Sequence, residues 1–127
     1  MTDRISLWIP GRPVPKARPR VTQGGSHTYN PARNQNWMLA ARAEAVSAMN
    51  TARLMLRDGP VIISAVFYLE GRLDEKPDVG NLLANLLDAL TGACYQDDAQ
   101  VVRVATSKQP PLHCGEGTAV TIRWLAN

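Results

Sequence analysis

A single α+β (α/β) domain, with elements in the order β-α-β-α-β-β and a mixed sheet packed by two helices, is what this sequence predicts. Three observations carry that reading. The run VIISAVFYLE at 61–70 is β-branched, aromatic and mostly apolar, the composition of a central strand. Leu82, Leu83, Leu86, Leu87 and Leu90 fall within one sector of a helical wheel. At 127 residues and 45% hydrophobic, the chain has the length of one domain, taken as 1–127, and enough apolar side chains for a core without disulfide or metal staples.

The elements follow in order. ISLWI at 5–9 alternates as a strand does, and Pro10 and Gly11 end it. The next stretch, GRPVPKARPRVTQGGSHTYNP, has four prolines, which oppose helix and ladder pairing, and Gly24-Gly25 at its tip, and predicts a loop or loose hairpin. Asn30 before Pro31 fits an N-cap with proline at the first helical position, opening a helix over about 32–56 with Trp37, Ala41, Ala45, Ala48 and Met49 at helical spacing. Asp58-Gly59-Pro60 breaks it before the 61–70 strand. The second helix runs from Asn81 to about Thr91, with Asn81, Asn85 and Asp88 opposite its leucines and Gly92 placed as the left-handed C′ residue. Strands over 101–107 and 118–125 complete the domain.

Charge is distributed unevenly. Residues 1–57 hold nine Lys or Arg against Asp3 and Glu44, a balance of +7, which leaves −4 for the remainder of a chain whose total is +3. A basic half suits a polyanion and an acidic half suits a cation, although Arg42, Arg53 and Arg57 are read as coating a solvated helix. No apolar run approaches the roughly 20 residues that cross a bilayer, and the N-terminus lacks a signal peptide's pattern, so a cytoplasmic protein without a membrane partner is expected. Cys94 and Cys114 have no CxxC spacing, and neither they nor His113 receives a role.

The stretch KPDVGNLLANLLDALTGACYQDDAQVV places Asp78 just before the leucine-rich helix and Asp97-Asp98 just after it. Mg2+ takes oxygen ligands and needs only one or two carboxylates beside substrate phosphate and water. The segment from Gly92 to Asp98 is long enough, at about 20 Å extended, to bring Asp97-Asp98 back beside Asp78. The ordinary alternatives stand beside this: Asp78 as a helix N-cap, Asp97-Asp98 as turn residues, Asp88 as a polar-face residue, and the leucine-rich helix as either core or a dimer element.

Taken together, PGRPVPKARPRVTQGGSHTYNP and the KPDVGNLLANLLDALTGACYQDDAQVV stretch resemble the RusA family of Holliday junction resolvases, particularly its phage and prophage members. The resemblance spans most of the chain. It implies a homodimeric, Mg2+-dependent endodeoxyribonuclease, with Mn2+ as a substitute metal and no small-molecule cofactor, that nicks four-way DNA junctions in symmetric pairs during recombination and repair. Asp78 matches the first aspartate of the family's Asp-x-Asp-Asn motif, and Asp98 the second of its Asp-Asp pair. Asp97 and Asp88 match family aspartates too, so the resemblance implies Asp78, Asp98 and Asp97 as catalytic residues, Asp78 and Asp98 as metal ligands, and Asp97 and Asp88 as further candidate ligands. Two positions depart: Gly80 stands where the family has its second aspartate, and Ala84 where it has a lysine.

The N-terminal motif sets Lys16, Arg18 and Arg20 on alternate positions, so an extended segment projects all three from one side toward phosphate oxygens. His27, Tyr29, Arg33 and Lys76 extend this expected DNA surface. Two competing readings are a junction-binding relative with weak or no cleavage, because of Gly80 and Ala84, and an unrelated scaffold whose aspartates are all caps or turns.

Overall fold

In the computed structural model, residues 3–16 and 31–125 are described. The run read as a central strand does lie inside the sheet. Strand β2 (Val61–Tyr68) pairs in parallel with β3 (Val101–Gln109) on one side and antiparallel with β4 (Gly117–Trp124) on the other. Strand β1 (Arg4–Pro10) pairs antiparallel with β4, which gives the order β1-β4-β2-β3. With α1 (Pro31–Thr51) and α2 (Val79–Leu90), the element order is β-α-β-α-β-β, as expected, in one α+β domain.

Alternation within each strand builds two layers. Val61, Ile63, Ala65 and Phe67 of β2 are fully buried, as is Ile122, with Val120 nearly so, and Ile5 and Ile9 of β1 join them. The helices close this face. Trp37, Ala41, Ala45 and Met49 form one buried stripe of α1 at four-residue spacing, and the two alanines let the helix approach closely. Leu82, Leu86, Ala89 and Leu90 of α2 are buried completely, so the leucine-rich helix belongs to the core.

Several boundaries and one side chain differ from expectation. Helix α1 stops at Thr51 rather than near 56, because Arg53 adopts a left-handed conformation at φ 57°. The Leu54 amide then donates to Met49 O at 2.9 Å and the Arg53 amide to Asn50 O at 3.1 Å, the paired bonds of a Schellman ending formed without glycine. Strand β2 ends at Tyr68, and α2 begins at Val79, two residues before Asn81. Asn85, assigned from the wheel to the solvent side, is fully buried, because Pro13 and Val14 pack over that flank of α2; its Nδ2 donates to Val14 O at 2.9 Å. Gly92 follows the helix at φ +86°, as its position predicts.

Candidate active site

The parallel pairing of β2 and β3 decides where the acidic residues lie. Helix α2 is the crossover between those strands and runs from their C-terminal ends back to their N-terminal ends. Asp78 opens the helix at the first end, where Lys108, near the finish of β3, donates to Glu75 O at 2.8 Å and Pro77 O at 3.0 Å. Asp97 and Asp98 lie at the opposite end, immediately before β3 begins, in a single 3-10 turn spanning Asp98–Gln100. The 12 residues of α2 span about 18 Å between these ends. The expected return of Asp97-Asp98 to the side of Asp78 therefore does not occur within one chain: loop length permits it, but the start of β3 is pinned beside the start of β2.

At the N-terminal end, Asp78 occupies the N-cap position in backbone terms, yet its carboxylate caps no helix amide. It faces Lys76 instead, with Nζ to Oδ2 at 3.0 Å, and both side chains are largely exposed. Gly80, two residues on, is exposed, and a Cβ built there meets nothing within 4 Å. Ala84 lies one turn further along and is partly buried.

At the C-terminal end the three aspartates have different surroundings. Asp97 is engaged locally: its Oδ1 accepts from the Ala99 amide at 2.9 Å while Gln100 Oε1 accepts from the Asp97 amide at 3.1 Å, a reciprocal capping box. Gln100 also anchors this turn by donating to Arg57 O and Gly59 O, each at 3.0 Å. Asp98 is exposed and makes no hydrogen bond or ion pair with its side chain among the described residues. Asp88 pairs with Lys16 at 3.1 Å, both partly exposed. Between them sits Tyr95, whose hydroxyl donates to Leu87 O at 3.0 Å. Burial pushes the phenol's pKa well above its ordinary value; a Thr91 hydrogen bond opposes this, and the negative charges of Asp98 and Asp88 add to it. Asp88 and Asp98 thus share a neighbourhood that Asp78 does not.

Compared with known protein families, residues 10–123 match Endodeoxyribonuclease RusA. The chain belongs to the RusA family. Its members are Holliday junction endodeoxyribonucleases, and the match spans everything from the end of β1 to nearly the end of β4. A comparison with curated proteins found no match.

Among the residues that the RusA likeness and the charge pattern point to for DNA, Lys16 is held on α2, its amide donating to Asn81 O at 3.0 Å and its ammonium on Asp88. Lys76 pairs with Asp78, and Arg33 lies in the first turn of α1. Arg18, Arg20, His27 and Tyr29 lie outside the described residues. The donor chemistry, carboxylate oxygen alone, suits Mg2+. Among the described residues of one chain, however, no three His, Cys, Asp or Glu side chains gather closely enough to hold a metal. Cys94 is buried and its thiol is pushed up to about 12, so it stays protonated and is no nucleophile. No helix among the described residues is long and apolar enough to cross a membrane.

Sequence reasoning missed two cations that shape these ends. Arg42, read as surface coating, reaches from α1 to the last carbonyls of α2, donating to Ala89 O and Asp88 O at 3.1 Å and to Thr91 O at 3.3 Å. Lys108 holds the loop ahead of Asp78. Arg57 likewise does more than coat, pairing with Asp3 at 3.1 Å and lying 5.3 Å from the Trp124 ring centroid. Only the basic side chains themselves were visible as a signal, since their carbonyl partners come from distant elements.

Proposed function

We propose that this chain is a Mg2+-dependent, structure-specific endodeoxyribonuclease that resolves four-way DNA junctions by paired nicks as a homodimer. Family membership supports the reaction class. The observation that carries the site assignment is that Asp78 and Asp98 keep their carboxylates available, one exposed beside Lys76 and the other unpaired, while Asp97 is committed to its own turn. Because the two lie at opposite ends of α2, the site that unites them takes Asp78 from one chain and Asp98 from a second. Two-fold pairing then gives two equivalent sites, matching the symmetry of a junction.

The chain's own groups have separable tasks. Asp78 and Asp98 supply the principal oxygen ligands; Asp97 fixes the backbone that presents Asp98; Asp88 holds the Lys16 ammonium on α2. Bound beside a phosphodiester, Mg2+ supplies charge neutralisation and an activated water. Lys16, Arg18 and Arg20 carry the strand's phosphates, with Lys76, Arg33, His27 and Tyr29 alongside. The deciding experiment is cleavage of a synthetic four-way junction with and without Mg2+ by wild type and Asp98→Asn, with linear duplex and flap DNA for comparison. Wild type is expected to cut the junction and Asp98→Asn to bind without cutting. Normal cutting by Asp98→Asn would overturn the metal assignment.

Gly80 and Ala84 favour a second reading, in which the chain binds junctions and cuts them weakly or not at all. Binding without Mg2+-dependent cleavage by wild type selects it.

A further inference from the structure

The helices cover only one face of the sheet, and among the described residues no element packs on the other. That open face has a definite charge pattern. Arg4 lies opposite Arg123, Arg123 opposite Ile62, and Ile62 opposite Arg103, so three arginines stand in one row across all four strands. All three are exposed, and none has a hydrogen bond or ion pair among the described residues. No residue of the four strands is acidic.

The row depends on an irregularity in the sheet. Val61 pairs with Val101 but Ile62 pairs with Arg103, leaving Val102 as the extra residue of a bulge. In regular register Val102 would face Ile62 and Arg103 would turn toward the helices; the bulge places Arg103 on the open face. Like charges directly opposite each other destabilise a sheet, and Arg4 and Arg123 are such a pair. An anion across the row relieves that repulsion. Beyond the arginines come the small residues Ser6, Thr121 and Ser64, in register. The face ends in Trp8 and Tyr68, whose ring centroids are 5.9 Å apart.

We infer that this open face is a second DNA-binding surface, on which Arg4, Arg123 and Arg103 hold the sugar-phosphate backbone of a junction arm. The inference rests on the junction-binding reading above but concerns a surface separate from the acidic ends of α2. Adjacent strands are about 4.8 Å apart, so the row extends about 14 Å, enough to meet several consecutive phosphates. A second copy of the chain is the poorer occupant: sheet-to-sheet pairing sets arginines against a face whose strands carry no carboxylate. The shallow floor of small side chains leaves room for a backbone, and the aromatic pair offers a stacking surface where the strand is unpaired.

The test compares wild type with the triple variant Arg4→Gln, Arg103→Gln, Arg123→Gln for equilibrium binding to a four-way junction, a duplex and a single strand across a salt series. Far-UV circular dichroism, Tm and sedimentation mass are measured on both proteins. The expected result is unchanged folding and mass, junction affinity reduced about tenfold or more, and a salt dependence shallower by about two to three units at roughly 0.9 per lost phosphate contact. A larger loss on single strands than on duplex assigns the face to an unpaired arm, and the converse to a paired one. If wild type binds junctions and the variant binds them equally with the same salt slope, the inference fails while the proposed function stands. A variant that loses only self-association overturns it in favour of a dimer face, and wild type that binds no DNA removes both readings.

Discussion

Mixing two inactive variants distinguishes a site shared between chains from one built within a chain. Ligands of one Mg2+ each lie about 2 Å from it and therefore at most about 4 Å apart, against about 18 Å of helix between the ends that carry Asp78 and Asp98. In a two-fold pair with shared sites, Asp78→Asn leaves each site without one ligand, and Asp98→Asn leaves each without the other. A mixed pair holds one site with both aspartates and one with neither. After subunit exchange at equal concentrations, about half the pairs are mixed, so nicking recovers to about a quarter of the wild-type rate. The assay is cleavage of an end-labelled junction by each variant alone and by the mixture, with exchange followed by native mass spectrometry. Mixed pairs cut one strand only, so the recovered product is nicked rather than resolved. No recovery in a mixture whose exchange is verified would refute the shared site.

Gly80→Asp is expected to be accommodated, because its Cβ enters open space, and to stabilise the chain by about 1 kcal/mol through helix propensity and the α2 N-terminal dipole, read as a higher Tm. If the missing family aspartate limits the rate, the same variant also speeds Mg2+-dependent cutting, and an unchanged rate means the site works without it. The Glu70 amide at 2.8 Å and Arg12 at 2.7 Å hold the Glu116 carboxyl below its ordinary pKa, against a smaller opposing effect of burial. A lowered carboxyl pKa stabilises the fold above its unfolded value and loses that contribution as pH falls through the folded one. The Tm gap between wild type and Glu116→Gln should accordingly be widest at neutral pH and close on acidification below the usual carboxylate range. Gly117→Ala should lower stability by about 1–3 kcal/mol in urea unfolding, because the new methyl collides with the Trp8 ring.

Much of the architecture was legible because local and tertiary signals agree. VIISAVFYLE reads as a strand because it pairs along both edges and buries Val61, Ile63, Ala65 and Phe67 beneath the helices, and Gly92 sits where a helix must turn left-handed. The wheel failed at Asn85 because a backbone carbonyl from the segment ahead of Lys16 makes a buried amide useful there, and that carbonyl is 71 residues away in sequence. The site divided in the same way. Motif spacing singles out Asp78 and Asp98 as candidates, but their separation depends on β2 and β3 pairing in parallel, which no residue near Asp78 or Asp98 encodes. The arginine row was invisible for a related reason: Arg4, Arg103 and Arg123 become neighbours only through strand order and one bulge.

The grip of Arg42 on three carbonyls at the close of α2 makes the posture of that helix end conditional on the docking of α1. A nascent or partly opened chain in which the first helix has not seated would leave that helix end without its clasp. The close of α2 should thus settle late in maturation, after both halves of the protein have met.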